Sequence, residues 1–336
     1  MVNEQEIQRL KKIRPNYAIL SLALDWLQIF AAFYVAIMVD HWLFYLIAMV
    51  FIARCQHALY MMMHEAAHFG LHSSILVNNY IGQFAIAGPA LFSLFVYRSN
   101  HLNHHRHPTS DDDQYPLKKS KFAVELLEDL FCYSYFRYMK LFIVAFAKKV
   151  RRRKERDEEA KKEEEEKRIA DKLKAEKEDL ELEKIEIKNS GGNVKGRRTH
   201  PHKLPKYMVL SSMLLGNGII ILFFYLLDAT LMYPILWLLP MFSILFVFFR
   251  IRGVCEHGGL KVDDNSMLTT RTIINPLQAY FFHPHRANYH IEHHLYPNVP
   301  YYNLKKLHTV IKEGGQYNTT NVYRSYFHII NNVVTY

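Results

Sequence analysis

Three short stretches of the chain concentrate imidazoles. Residues 64–68 read HEAAH, residues 101–105 read HLNHH and residues 290–294 read HIEHH. On a helix, His64 and His68 stand four residues apart on one face, so both can reach one metal ion. With Glu65 between them, the stretch fits the zinc-protease pattern, whose glutamate is general base to a zinc-bound water. The other two stretches have the form H-x-x-H-H. Their first histidine meets the fourth and fifth at i+3 and i+4, which allows three imidazoles to face one volume. His257, in RGVCEHGG, is an isolated further candidate. The candidate ligands are therefore His64, His68, His101, His104, His105, His257, His290, His293 and His294. A catalytic zinc takes three protein ligands and a water. Nine imidazoles are too many for one ion and suit two ions with open positions. All-imidazole ligation is compatible with zinc, copper, iron or nickel.

Such side chains need a scaffold, and the composition indicates which kind. Of 336 residues, 50% are hydrophobic and 14% aromatic, yet mean hydropathy is only −0.11. Two unlike materials are being averaged. Residues 15–53 and 207–249 contain no Lys or Arg, whereas 148–203 are mostly Lys, Arg and Glu. Each apolar block has the length of two membrane spans of roughly 20 residues. The first breaks at Asp40 and His41, giving helices over 17–38 and 42–63. The second breaks around Asp228 and Pro234, giving helices over 207–227 and 232–251. Arg9, Lys11, Lys12, Arg14, Lys203, Lys206, Arg250 and Arg252 flank the blocks, and neither tip carries Lys or Arg. The positive-inside rule then puts both termini and the middle of the chain in the cytoplasm. The net charge of +10 reads as membrane-surface charge, since no nucleic-acid-binding motif accompanies it. Cys55, Cys132 and Cys255 have no paired spacing and suggest no disulfide or zinc framework. The N-terminal MVNEQEIQRLKKIRP lacks a signal-peptide apolar region, so the first block is expected to be retained as a membrane helix.

The remaining segments read as a cap. Residues 75–97 are apolar but interrupted by Asn78, Asn79, Gln83, Gly88 and Pro89, which predicts a re-entrant or interfacial segment. Phe122, Leu126, Leu127, Leu130 and Phe131 recur at helical spacing, which predicts an amphipathic interfacial helix within 120–147. Residues 148–188, with pairs such as Glu163 and Lys167, predict a solvated helical insertion ending at NSGGNVKG. The expected fold is an all-α integral membrane protein. Two transmembrane helical hairpins, four spanning helices in all, carry a cytoplasmic histidine-rich metal-binding cap of short and amphipathic helices. Within a single domain over 1–336, the divisions are a cytoplasmic N-terminus (1–14), a first hairpin (15–63), an interfacial region with the first two histidine stretches (64–147), the charged insertion (148–203), a second hairpin (204–251) and a cytoplasmic region with the third stretch (252–336).

HEAAH, HLNHH and NYHIEHHLYPNVP resemble the three histidine boxes of the membrane fatty acid desaturase and hydroxylase superfamily. The resemblance covers about 50–115 and 205–310, with the hairpins in the expected order. It implies two non-haem irons, held by the nine histidines above, with O2 as co-substrate and an unactivated alkyl chain of a lipid or fatty acid as substrate. No HPGG haem signature and no flavin or dinucleotide motif is present, so the electrons are expected from a separate cytochrome-b5-like or ferredoxin-like carrier. The long charged insertion departs from the family pattern. Desaturation and hydroxylation of a lipid, ceramide, alkane or carotenoid both fit the boxes. An intramembrane zinc protease using His64, Glu65 and His68, or a non-catalytic metal-binding membrane protein, leaves most of the clustered histidines or their arrangement without a role. Glu65, Glu256 and Glu292 neighbour candidate ligands and could hydrogen-bond them, as could Asp111, Asp112 and Asp113. His57, His72, His107, His283 and His285 lie near the boxes, and Gly82 and Gly88 could line an acyl slot or pack helices.

Overall fold

A computed structural model describes residues 4–106, 119–141, 204–260, 265–315, 317 and 319–334, with a few positions between 143 and 159. The chain divides into two compact units, Met1–Ser134 with His202–Tyr336, and Tyr135–Pro201. In the second unit, residues 135–141 are helical and Arg151 pairs with Glu155 one turn on, at 3.3 Å. Residues 160–203 of the charged insertion, with the pairs expected around Glu163, lie outside the described residues.

The first unit begins with α1 (Glu4–Leu10), which buries Ile7 and Leu10. Helix α2 (Pro15–Val39) opens on proline, whose missing N–H is not needed in a first turn. It stops at Asp40, in the left-handed conformation (φ 45) that aspartate tolerates. The His41 ring accepts from the Leu43 N–H and caps α3 (Trp42–Ala67), which packs back along α2. Continuing past 67, a short helix α4 (Ile75–Tyr80) widens into a π-helical stretch over Ile81–Ala87. Six plus seven residues make about 20 Å, too short for a span. The chain reverses at Leu91 (φ 55), and α5 (Leu94–Arg106) returns to the end of α3. The 75–97 segment therefore leaves the bundle at the end where it entered.

Helix α6 (Lys119–Leu130) packs Phe122 and Leu126 inward, but Leu127, Leu130 and Phe131 are exposed. Cys132, at φ 63, breaks the helix there, so 120–147 is not one continuous element. Two more long helices follow, α7 (Lys206–Leu226) and α8 (Tyr233–His257). Four helices, α2, α3, α7 and α8, are each long and apolar enough to cross a membrane. They run further than expected where it matters: α3 to Ala67 rather than 63, and α8 to His257 rather than 251. Both extensions carry candidate ligands. Helix α8 is irregular, with a π-helical turn over Tyr233–Leu238 and a break at Ser243 (φ −122, ψ −87). Pro240 lies between them, removing a donor and crowding the preceding turn.

The four helices meet at Trp237. Its ring packs on Trp26 and Phe33, its indole N–H donates to Asn217 Oδ1 (3.3 Å), and its carbonyl accepts from Gln56 Nε2 (2.8 Å). One residue thereby ties α2, α3, α7 and α8 together. The outer faces keep large apolar side chains exposed, among them Leu20 and Leu27 of α2 and Leu214 and Leu222 of α7.

Gly82 and Gly88 serve close packing. A Cβ at Gly82 would lie 2.8 Å from Ala66 Cβ, and one at Gly88 would lie 2.6 Å from the Ser212 carbonyl oxygen. A Cβ at Gly218, on α7, would meet nothing within 4 Å. Gly88→Ala is therefore expected to cost about 1–3 kcal/mol through overpacking. Gly218→Ala gains helix propensity and costs nothing. Thermal unfolding in detergent checks this; equal midpoints for the two variants would contradict it.

The last elements are short: α9 (Ser266–Thr269), α10 (Pro276–Phe282), α11 (His290–Leu295), α12 (Leu304–Glu313) and α13 (Tyr326–Val333). A two-residue parallel pairing joins β1 (Thr272–Ile273) to β2 (Val322–Tyr323). The N-terminal segment docks on the chain after the third box. Asn303 Nδ2 donates to the Leu10 carbonyl (2.7 Å), and the Arg14 N–H donates to the Tyr302 hydroxyl (2.6 Å).

Candidate metal centre

The nine histidines converge. The last turn of α3 carries His64, with His68 as its cap; α5 carries His101, His104 and His105; α8 ends on His257; α11 carries His290, His293 and His294. They form two groups whose ligand atoms all lie within 4.8 Å of one another: His64, His68, His101, His105 and His293, and His104, His257, His290 and His294. Each H-x-x-H-H is split, so three imidazoles of one box do not share a volume. The first and fifth positions go to one group and the fourth to the other. Helical geometry requires this: i+4 lies about 40° from i, while i+3 lies about 60° to the other side. The two boxes cross over, so His293 joins the five-membered group and His104 the four-membered one.

His257 does not sit on a loop swung over the site by Gly258 and Gly259. It is the last residue of α8, and the glycines end the helix after it. A Cβ at Gly258 would lie 2.6 Å from the Val254 carbonyl oxygen, and Gly259 has φ 71.

The nitrogens face one another in a way that neutral rings do not tolerate alone. His257 Nδ1 is 2.9 Å from the Thr269 carbonyl oxygen, an acceptor, so that nitrogen carries the proton. His290 Nδ1 lies 3.4 Å from the Glu256 carboxylate and is protonated for the same reason. Two Nε2 lone pairs then face each other across 2.9 Å. His294 Nε2 approaches His290 Nε2 to 3.1 Å. In the other group, Nε2 to Nε2 distances are 2.8 Å (His68–His101), 3.0 Å (His105–His101) and 2.9 Å (His293–His105). Two nitrogens each about 2.1 Å from one ion, at a right angle, stand roughly 3.0 Å apart. His64 Nε2 is buried with no hydrogen-bond partner. Lone pairs gathered at this spacing, with an orphaned nitrogen among them, fit a cation in each group.

Burial keeps the rings of His68, His101, His290, His293 and His294 neutral. It holds His68 down to about 4, with Arg98 adding to the effect. Burial first, and neighbouring imidazoles second, push His101, His290, His293 and His294 well below the usual histidine range. Neutral imidazole is the ligating form, so an ion has no protons to displace at neutral pH.

The fatty acid desaturase family model matches residues 40–175 and 180–327. The chain belongs to the fatty acid desaturase family. No individual curated protein matches it significantly. The match takes in all nine histidines and most of the charged stretch, and it leaves out α2.

Around the desaturase histidines, polar partners sort differently from the sequence expectation. Glu256 lies behind His290 and is also bound by Arg252 Nε (2.7 Å). Glu292, though inside the third box, points away. It accepts from Thr272 Oγ1 (2.6 Å) and Tyr317 Oη (2.6 Å) and pairs with His308 Nδ1 (2.5 Å), which anchors α11 to α12. His72 accepts from the Ser74 N–H in a local turn, and His57 stacks on Phe248 and meets Phe249 edge-on, outside both groups. His107 and Asp111, Asp112 and Asp113 lie outside the described residues. His285, held at φ 55, pairs with Asp25 of α2 at 2.7 Å. Asp25 was missed, although a lone buried carboxylate in a 25-residue apolar helix is a strong signal. Arg250 and Arg252, read as membrane-flanking charges, are both partly buried in ion pairs, Arg250 with Glu125 and Asp129 of α6 and Arg252 with Glu256.

Two cavities flank the histidines. One of about 270 Å³ is walled by Tyr60, Met61, Tyr97 and Phe249 together with the Arg252–Glu256 pair, and reaches His101 of one group and His104, His257 and His290 of the other. The second, about 10 Å³, has room for roughly one water. Glu65, Arg252, His285 and Tyr301 line it beside His64, His290 and His293. Glu65 is buried, takes a hydrogen bond from the Tyr301 backbone, and folds over Gly70 so closely that a Cβ there would collide with its carboxylate. A protease base would need space for a peptide beside it. Glu65→Gln keeps the acceptor for Tyr301, so it is expected to retain metal and to lose activity by no more than the roughly 10–100-fold that direct outer partners of ligands show. Metal analysis alongside turnover tests this. Complete loss of turnover with both ions retained would make Glu65 a proton-transfer group.

Proposed function

We propose that the protein desaturates the acyl chain of a lipid or fatty acid with O2, using one iron in each histidine group. The supporting observation is the pair of adjacent all-imidazole groups bordering one cavity that Tyr60, Met61, Tyr97 and Phe249 line on one part and Arg252 and Glu256 on another. His64, His68, His101, His105 and His293 would hold one iron, and His104, His257, His290 and His294 the other. The iron pair, when bound, supplies O2 activation and removal of hydrogen from an unactivated chain. The balance is –CH2–CH2– plus O2, two electrons and two protons giving –CH=CH– and two waters. No redox cofactor motif is present in the sequence, so the two electrons come from a cytochrome-b5-like or ferredoxin-like carrier.

The chain's own residues bind and orient. Tyr60, Met61, Tyr97 and Phe249 give an alkyl segment an apolar wall beside both groups. Burial of the imidazoles excludes bulk water and keeps them as ligands. In this reading α2 with α3, and α7 with α8, are two transmembrane hairpins. The docking of the N-terminal segment beside the third box supports a cytoplasmic N-terminus on the histidine side. The remaining elements form a cytoplasmic cap within one desaturase-like domain.

Lipid mass spectrometry of cells with and without the protein, alongside a His293→Ala control, tests the proposal. A new double bond is the expected product. An added hydroxyl would assign hydroxylation instead, and an unchanged lipid profile would overturn both.

A further inference from the structure

A chain of buried polar side chains runs from the C-terminal helix to the four-histidine group. The Tyr326 hydroxyl lies 2.6 Å from His283 Nδ1. His283 Nε2 lies 3.1 Å from Glu256 Oε1, and the same oxygen lies 3.4 Å from His290 Nδ1. Tyr326 and His283 are each essentially inaccessible.

Proton positions along the chain follow from chemistry. A carboxylate with Arg252 on it accepts only, so the His283 nitrogen facing it carries the proton, in an ion-pair contact rather than an aligned hydrogen bond. His283 Nδ1 is then the acceptor, and the Tyr326 hydroxyl donates to it. Burial pushes the Tyr326 phenol above its usual range, which keeps it a donor. At the other end, the Glu256 carboxylate, 3.4 Å away, favours the His290 proton on Nδ1 and leaves Nε2 toward His257 and His294. Tyr326 is itself fixed: its N–H donates to Gln278 Oε1 (2.9 Å), and its ring packs on Phe282. No corresponding chain reaches the five-histidine group among the contacts of the described residues.

We infer that Tyr326 and His283 are positioning residues for the four-histidine metal site, acting on His290 through Glu256. This rests on the two-iron reading above. A group of four has less redundancy than a group of five, so a loosened His290 weakens one ion and spares the other. The C-terminal helix thereby sets how firmly the second ion is held.

The test uses the full-length protein, loaded anaerobically with ferrous iron and titrated with a chelator. Tyr326→Phe keeps the ring in its packing and removes only the hydroxyl. It is expected to release one of two irons at about 3–10-fold lower chelator concentration, below the roughly 10–100-fold range of direct outer partners because His283 and Glu256 lie between it and His290. Mössbauer spectra should show one iron environment changed and the other unaltered. His283→Ala should match or exceed this loss, and His283→Gln, which retains a donor for Glu256, should partly restore it. If Tyr326→Phe keeps both irons with wild-type resistance and unchanged spectra, the inference fails. Equal loosening of both irons would also overturn it. A wild-type protein that takes up fewer than two irons would instead overturn the two-iron reading, before any variant is compared.

Discussion

His257→Ala should remove one iron and reduce lipid conversion by more than about 100-fold, a loss beyond that of an outer partner. His257 lies outside the three boxes, so a motif count of eight would predict little effect. Its place at the end of α8 argues otherwise. Nδ1 is engaged by the Thr269 carbonyl oxygen, and Nε2 is aimed at His290 Nε2 at 2.9 Å. The ring also contacts His104 and His294, the remaining members of its group. An interfacial histidine hydrogen-bonded to Glu256 would predict near-normal turnover, but the partner found for Nδ1 is Thr269. Iron content and turnover of the purified variant decide the matter, with retained detergent-resistant folding as the control. Two irons and near-normal turnover would exclude His257 from the site.

The sequence made the histidines legible because helical spacing is local information. H-E-x-x-H and H-x-x-H-H announce one-turn neighbours wherever the chain goes. The four long apolar helices were legible for a similar reason, since freedom from Lys and Arg over a span is a one-dimensional property. Helix ends were not. Arg250 and Arg252 look like stop signals beside a membrane, which placed the end of the fourth helix too early. Their charges are instead matched, Arg250 by Glu125 and Asp129, more than a hundred residues away, and Arg252 by Glu256. No local reading finds the first of these pairings.

The carboxylates were legible only in part, for a related reason. Glu256 and Glu292 each precede or follow a candidate ligand, and adjacency made them equivalent. On α11, Glu292 is on the side opposite the histidines and serves Thr272, Tyr317 and His308. Position on the helix, rather than distance along the chain, decides which carboxylate backs a ligand. Asp25 shows the converse: its role depends on His285, which is distant in sequence.

The sharpest consequence of the geometry concerns two neighbouring residues. His104 and His105 are adjacent in the chain, and a single-volume reading of the box treats them alike. The structure assigns them to different groups, His104 with His257, His290 and His294, and His105 with His64, His68, His101 and His293. His104→Ala leaves three imidazoles in its group, and His105→Ala leaves four. Both variants should lose conversion by more than about 100-fold, because in the proposed two-iron reading the chemistry needs both ions and each variant is missing a direct ligand. They should differ in what they retain. His104→Ala should keep the iron of the five-histidine group at wild-type chelator resistance and give the spectrum of that iron alone. His105→Ala should weaken that iron and leave the other's signal in place. The double variant His104→Ala/His105→Ala should hold neither ion firmly. Identical spectra from the two single variants, with the same ion lost from each, would mean that the second box serves one metal and that the crossed arrangement is wrong.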